Sequence, residues 1–72
     1  MSNALVNFTK HSYFPKWTHA TAPFAVIRPC DKQTFRIFDI DAEGYVHECA
    51  DTPHFRSAQT AAAWVERQIK KA

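Results

Sequence analysis

The stretch RIFDIDAEGYVHECA, residues 36–50, decides the fold. It places the only glycine of the chain between two runs in which apolar and polar residues alternate. The segment DAEGY (41–45) fits a three-residue hairpin loop, in which a type I turn is followed by a left-handed residue that glycine adopts without strain. The predicted pairs are Asp41 with Tyr45, Asp39 with His47, and Ile37 with Cys49.

A further strand precedes this hairpin. The β-rich segment PFAVIRP predicts a first strand at about 23–28, and PCDK (29–32) predicts a tight turn into QTFRIFDID as the second strand. YVHECA is then the third strand, followed by a loop over 51–57. The tight turn predicts these pairs: Arg28 with Gln33, Val26 with Phe35, and Phe24 with Ile37.

The C-terminal segment predicts an amphipathic helix. Ser57 is a suitable N-cap, because its hydroxyl can accept a hydrogen bond from a free N–H of the first turn. An apolar stripe recurs at helical spacing: Ala58, Ala61, Ala62, Val65 and Ile69. Its small alanines allow the helix to lie close to a sheet.

Residues 1–21 predict an extended N-terminal arm, in which Leu5, Val6 and Phe8 could form a short extra strand. The expected fold is therefore α+β, with a three-stranded antiparallel meander and one C-terminal α-helix packed on one face. The expected organisation is an arm over 1–21 and a single β-β-β-α domain over 22–72.

Composition limits the function classes. A chain of 72 residues has a thin core and little room for an enclosed catalytic pocket. A net charge of +2 is too small to indicate nucleic-acid binding by itself. The two cysteines, without an apolar leader or membrane segment, favour reduced thiols in the cytoplasm. No nucleophile motif or glycine-rich phosphate loop is present, so we expect neither an enzyme nor a cofactor.

Strand alternation divides the predicted sheet into two faces. The face expected against the helix carries Phe24, Val26, Phe35, Ile37 and Cys49. The opposite face carries Ala25, Ile27, Thr34, Arg36, Phe38, Ile40, Val46 and Glu48. Because one helix covers one face, the apolar patch on the second face needs a cover. The arm could supply it through Phe8, Phe14 or Trp17, and so could a second copy of the chain or a different protein.

A metal site is the sharpest chemical alternative in the hairpin. His47 and Cys49 share a face, Asp39 is the predicted neighbour of His47, and His54 or Cys30 could complete a set. The spacing matches no standard zinc pattern, so His47 and Cys49 remain weak metal candidates. A disulfide between the two cysteines is not expected, because the predicted register places them too far apart.

Three antiparallel strands followed by a helix that begins in FRSAQTAAAWVERQ resemble the arm-DNA-binding domains of phage-type integrases over about residues 23–71. The resemblance implies that the exposed sheet face would read the major groove of DNA. The matching contact residues here are Arg28, Lys32, Thr34 and Arg36. Residues 37–55 depart from that pattern, since they contain five acidic residues and neither lysine nor arginine.

The sequence therefore predicts a small, cytoplasmic, non-catalytic binding or accessory protein of the kind found in bacteria and mobile elements. Its expected partner is another protein or a second copy of itself, with no membrane contact. The expected contact residues are Arg36, Phe38, Ile40, Val46 and Trp17. Nucleic-acid binding through the integrase-like surface is the alternative.

Overall fold

Residues 4–30 and 32–71, which this computed structural model describes, form one antiparallel sheet and one C-terminal helix, as the sequence predicts. The sheet has five strands in sequential order, so each strand pairs with its neighbours along the chain. A 3-10 turn, Ala4–Asn7, precedes the sheet. The other elements are β1 Phe8–Lys10, β2 Lys16–His19, β3 Phe24–Ile27, β4 Arg36–Ile40, β5 Val46–Glu48 and α1 Ala58–Lys71.

The prediction of three strands is wrong, because the segment expected to be an arm supplies two more. Thr9 pairs with Thr18 between β1 and β2, and Trp17 pairs with Val26 between β2 and β3. The prolines of this segment bound the strands and do not exclude them. Pro15 directly precedes β2, where a proline disrupts no central ladder. Residues 1–3 of the predicted arm lie outside the described residues.

The β4–β5 hairpin has the predicted register. Asp39 pairs with His47, and the N–H of Cys49 donates to the carbonyl of Ile37 at 2.9 Å. Gly44 has a φ of +92°, the left-handed conformation that the turn requires. Asp41 organises the turn, since its Oδ1 accepts from the N–H groups of Glu43 at 3.0 Å and Tyr45 at 2.9 Å.

The predicted β3–β4 register is wrong by two residues. Val26 pairs with Ile37 and not with Phe35. A turn does form at 29–32, where the N–H of Lys32 donates to the carbonyl of Pro29, although Asp31 lies outside the described residues. Phe35 lies just before β4 and exchanges two backbone hydrogen bonds with Phe55, at 2.6 and 3.1 Å. A two-residue shift preserves the face of every side chain.

The helix packs on the face of β3 and β4 that carries Val26 and Ile37. Ser57 caps it, because the N–H of Thr60 donates to the Ser57 Oγ at 3.2 Å. The predicted stripe faces inward: Ala58, Ala61, Ala62 and Val65 are buried. Ile69 is half-buried against the same core. Within the described ranges, no helix has both the length and the apolar character needed to span a membrane.

Candidate protein-contact face

The sheet face opposite the helix, which we call the outer face, carries an apolar strip. Strand alternation places Ile27 of β3, Phe38 and Ile40 of β4, and Val46 of β5 on it, with the small, buried Ala25 between them. The four larger side chains are half-buried, because they shield one another across the strands. Three predicted contact residues, Phe38, Ile40 and Val46, thus come together on one surface.

The C-terminal helix does not cover this strip. The helix and the 3-10 turn both lie on the core face, where they contact each other and where Leu5 of the turn packs against the core. Strands β1 and β2 extend the sheet at its edge. Phe8 and Trp17 pack against the core, so two of the three rings expected to cover the outer face lie on the other side of the sheet.

Trp17 lies on the core face, not the outer face. Its ring is half-buried, 5.8 Å from the ring of Phe35 in an edge-to-face arrangement, and the Nζ of Lys10 lies 5.4 Å from it. It pairs with Val26, whose side chain is part of the core. Strand β2 thus places Trp17 where it supports the core, and it is removed from the set of outer-face residues.

Arg36 lies on the outer face by alternation, but its side chain is engaged within the molecule. Only 4% of it is exposed. Its Nη1 donates to the carbonyls of Thr52 at 2.8 Å and Pro53 at 2.9 Å, and its Nε donates to Glu48 at 3.2 Å. The Nη2 also reaches the carbonyl of Cys49 at 3.4 Å. The guanidinium thereby holds the loop after β5 and has little surface left for a partner.

The four residues predicted to contact nucleic acid differ in their exposure. Arg28 and Lys32 are exposed, whereas Thr34 is half-buried and its hydroxyl lies 3.3 Å from the Nδ1 of His54. With Arg36 committed to the loop, two of the four predicted residues offer a free cation.

The weak metal candidates do not converge. The Nε2 of His47 lies 2.7 Å from Asp41 Oδ2, while Cys49 is half-buried against the core. The hydrogen bond with His47 lowers the pKa of Asp41, and the same bond raises the pKa of His47 above 6.5. Burial raises the pKa of Cys49. Cys30 and Cys49 are both free thiols. In residues 4–30 and 32–71, no three His, Cys, Asp or Glu side chains group so as to hold a metal ion.

A polar cluster that the sequence did not predict joins the sheet to the helix. The Nδ1 of His19 accepts from the N–H groups of Thr21 at 3.2 Å and Ala22 at 3.0 Å, so the ring proton lies on Nε2. That Nε2 donates to the carboxylate of Glu66 at 2.9 Å, and the amide of Asn7 donates to the same oxygen at 3.2 Å. These partners are far apart in sequence, and only a correct β1–β2–β3 register could have brought them together.

The β1–β2 loop presents two exposed rings at one end of the sheet. Tyr13 is 88% exposed and Phe14 is 61% exposed. The loop is braced from within, because the Nζ of Lys10 donates to the carbonyls of His11 at 3.1 Å and Phe14 at 3.5 Å. In an antiparallel meander this loop and the 28–35 connection lie at the same end of the sheet, which we call the basic end.

Comparisons with protein-family models, curated proteins and solved structures gave no match to this chain. Its function is therefore argued from the geometry of its own surfaces.

Proposed function

We propose that the protein is a small, non-catalytic binding protein that makes protein–protein contacts through its outer face. The observation that carries this proposal is the apolar strip, centred on Phe38, on the sheet face opposite the helix. Contiguous exposed apolar surface usually marks a contact site in a small protein. Phe38 is the expected hot spot, since aromatic residues near the centre of an interface contribute most to affinity.

The occupant that fits this face is a second copy of the chain. Phe38 pairs with Ala25 across β3 and β4, so a large and a small side chain lie next to each other on the outer face. In such a dimer the two outer faces stack, and the two-fold axis lies between the sheets, parallel to the strands and above the line between β3 and β4. This axis places β3 of one copy over β4 of the other. Each Phe38 would then lie over the Ala25 of the other copy. Such mutual insertion is the self-complementarity that an isologous interface needs.

The same axis brings no like charges together among the residues that flank Phe38 and Ala25. It places Glu48 of β5 over Thr18 of β2, because those residues lie in the same row as Phe38 and Ala25. Glu48 is also neutralised within its own chain by Arg36, at 3.2 Å. No like charges oppose each other along that row, and the aligned packing of two sheets is a common arrangement.

Sedimentation equilibrium of the purified chain tests the proposal. We expect a dimer, and we expect Phe38→Asp to raise the dissociation constant by about 30-fold or more, the effect of losing a hot spot. Gln59→Asp is the matched control, because Gln59 is exposed on the helix, which packs on the other face of the sheet, and the change should leave the dimer intact. Far-UV circular dichroism checks that both variants fold. A wild-type chain that stays monomeric at high concentration contradicts the choice of a second copy.

Nucleic-acid binding at the basic end is the second candidate. It is favoured by the exposed rings of Tyr13 and Phe14, which lie at the same end of the sheet as the free cations Arg28 and Lys32. Cations beside exposed rings are typical of surfaces that bind single strands by stacking and phosphate contact. Fluorescence anisotropy with labelled single-stranded and duplex DNA at low salt tests it. Binding that weakens steeply with salt and with Tyr13→Ala supports this function, whereas no binding at low salt excludes it.

A further inference from the structure

Residues 51–54 of the loop after β5 lie on the outer face, beside β4. Arg36 points to that face, because Ile37 next to it is buried in the core. Its guanidinium donates to the carbonyls of Thr52 at 2.8 Å and Pro53 at 2.9 Å, and Arg36 is only 4% exposed. The loop therefore raises the surface over β4 and β5 at the basic end.

A second contact holds the same loop on this side of the sheet. Phe35 packs against the core, so Thr34, one residue earlier, points to the outer side. The hydroxyl of Thr34 is 3.3 Å from the Nδ1 of His54. The loop is thus held by two neighbouring side chains of the outer face. Its exposed Asp51 forms no ion pair with any of the described residues.

The surface over β2 and β3 at the same end is recessed. Lys16 pairs with Ile27, and both side chains lie on the outer face, since their neighbours Trp17 and Val26 pack in the core. Lys16 and Ile27 both line a groove of about 450 Å³ between the β1–β2 loop and the 28–35 connection. Among the described residues, no acidic side chain lines this groove.

The two-fold axis of the proposed dimer brings the loop of one copy to the groove of the other. The pairs Lys16–Ile27 and Ile27–Arg36 put these three residues in one row across β2, β3 and β4. Because the axis is parallel to the strands, it keeps each row in register while it exchanges β4 with β3 and β5 with β2. Stacked sheets lie about 10 Å apart. Without a recess opposite the loop, the loop would hold Phe38 away from the opposite Ala25.

We propose that the 51–54 loop of each copy enters the groove of its partner, so that Asp51 lies beside the partner's Lys16. This inference rests on the proposed self-association and names the part of the chain that fills the groove. Position selects the loop, and the opposite charges of Asp51 and Lys16 add to the fit. Within one chain the two residues form no ion pair, since β2 and β5 are three strand spacings, roughly 14 Å, apart. Any coupling between them must therefore cross the interface.

A charge-reversal cycle, measured by sedimentation equilibrium, tests this pairing. Lys16→Glu and Asp51→Lys each place like charges together in both symmetric contacts, so each alone should raise the dimer dissociation constant about tenfold. The chain that carries both substitutions should return to within about threefold of the wild type. Lys71→Glu is the matched control for net charge, because Lys71 is exposed on the helix, and it should leave the constant unchanged.

Cys30 gives an independent readout, because it lines the groove and is exposed in the single chain. In the variant Cys49→Ser it is the only thiol. Its alkylation by iodoacetamide should slow several-fold as the protein concentration rises through the dissociation constant. The same rise should leave the Cys30 rate unchanged when Phe38→Asp is added, since that chain stays monomeric.

The outcomes separate this inference from the proposed function. A dimer that Phe38→Asp disrupts, but in which the double charge variant is no tighter than the single ones, keeps the outer-face contact and overturns the seating of the loop. A Cys30 rate that is equal in dimer and monomer also overturns it, as does a Lys71→Glu variant that weakens the dimer as much as Lys16→Glu. A wild-type chain that stays monomeric overturns both proposals.

Discussion

At the scale of single residues, several charged side chains that the sequence suggests are at the surface form hydrogen bonds within the protein. Arg36 is the strongest case, since one guanidinium holds the carbonyls of Thr52 and Pro53 and pairs with Glu48. Alternation along a strand predicts the face of such a residue but not whether a later loop folds over it. The run of carbonyls that Arg36 captures has no sequence signature, and this is why it was expected to contact a partner.

Replacing Arg36 by lysine should therefore destabilise the fold. Lysine keeps the charge but cannot reach two carbonyls and a carboxylate with one planar group, so buried acceptors lose their donors. We expect a loss of about 2 kcal/mol or more in the free energy of unfolding, measured with urea. Arg56→Lys, at an exposed position, is the control and should change little. Equal stability of the two variants would show that the loop does not depend on the guanidinium.

Glu66 should make the stability depend on pH in the acid range. Burial raises its pKa, but the hydrogen bonds from Asn7 and His19 and the nearby Lys70 outweigh that effect, so the pKa lies below 4.5. A carboxyl whose pKa is lowered by folding stabilises the protein above its unfolded pKa, and this contribution is lost as the pH falls through the folded value.

The variant Glu66→Gln should accordingly lose less stability than the wild type as the pH falls from above 4.5 into the range of the lowered pKa. Urea unfolding at a series of pH values measures this difference. Glu43→Gln, in the exposed hairpin loop, serves as the control and should follow the wild type. Parallel curves for Glu66→Gln and the wild type would contradict the assigned role of the cluster.

At the scale of elements, local sequence signals predicted the β4–β5 hairpin and α1. The features that depend on residues distant in sequence were not predicted. The hairpin is specified by Gly44 and Asp41, and the helix by the Ser57 cap and its alanine stripe. The β3–β4 register was missed because β3 ends at Ile27 and β4 begins at Arg36, so the connection between them is longer than the predicted tight turn. β1 and β2 are short, and their pairing depends on neighbours that no local pattern identifies. Strands of three or four residues are stable only as part of a larger sheet.

The hairpin gives a prediction at this scale. At Gly44, with φ +92°, an added Cβ would meet no atom within 4 Å, so the cost of substitution is that of the backbone alone. Gly44→Ala should lower the free energy of unfolding by about 1–2 kcal/mol. Gly44→Asn should cost less, because asparagine tolerates the left-handed conformation better. If both variants unfold at the same temperature as the wild type, the turn does not constrain the fold.

At the scale of the whole molecule, the helix and the 3-10 turn pack on the same face of the sheet. The single helix buries Val26 and Ile37 on the core face, and the 3-10 turn adds Leu5 to the same side. The sequence predicted that the single helix covers one face of the sheet, and it proposed Phe38, Ile40 and Val46 of the other face as contact residues. It could not predict the pairing of β2 with β3, which places Lys16 opposite Ile27.

The proposed self-association through the outer face would affect the stability of the entire molecule. If two copies must separate in order to unfold, mass action links the Tm to protein concentration. A hundredfold rise in concentration stabilises the pair by about 2.7 kcal/mol, shared between two chains, and about 1 kcal/mol shifts the Tm of a domain of this size by roughly 4–8 °C. The wild-type Tm should thus rise by about 5–10 °C over that range, measured by circular dichroism in cells of different path length. Phe38→Asp should have a Tm that does not change with concentration, whereas Gln59→Asp, on the helix side, should follow the wild type. A wild-type Tm that is constant across the whole range would mean that the outer face does not join two copies, even if Phe38→Asp alters stability by other means.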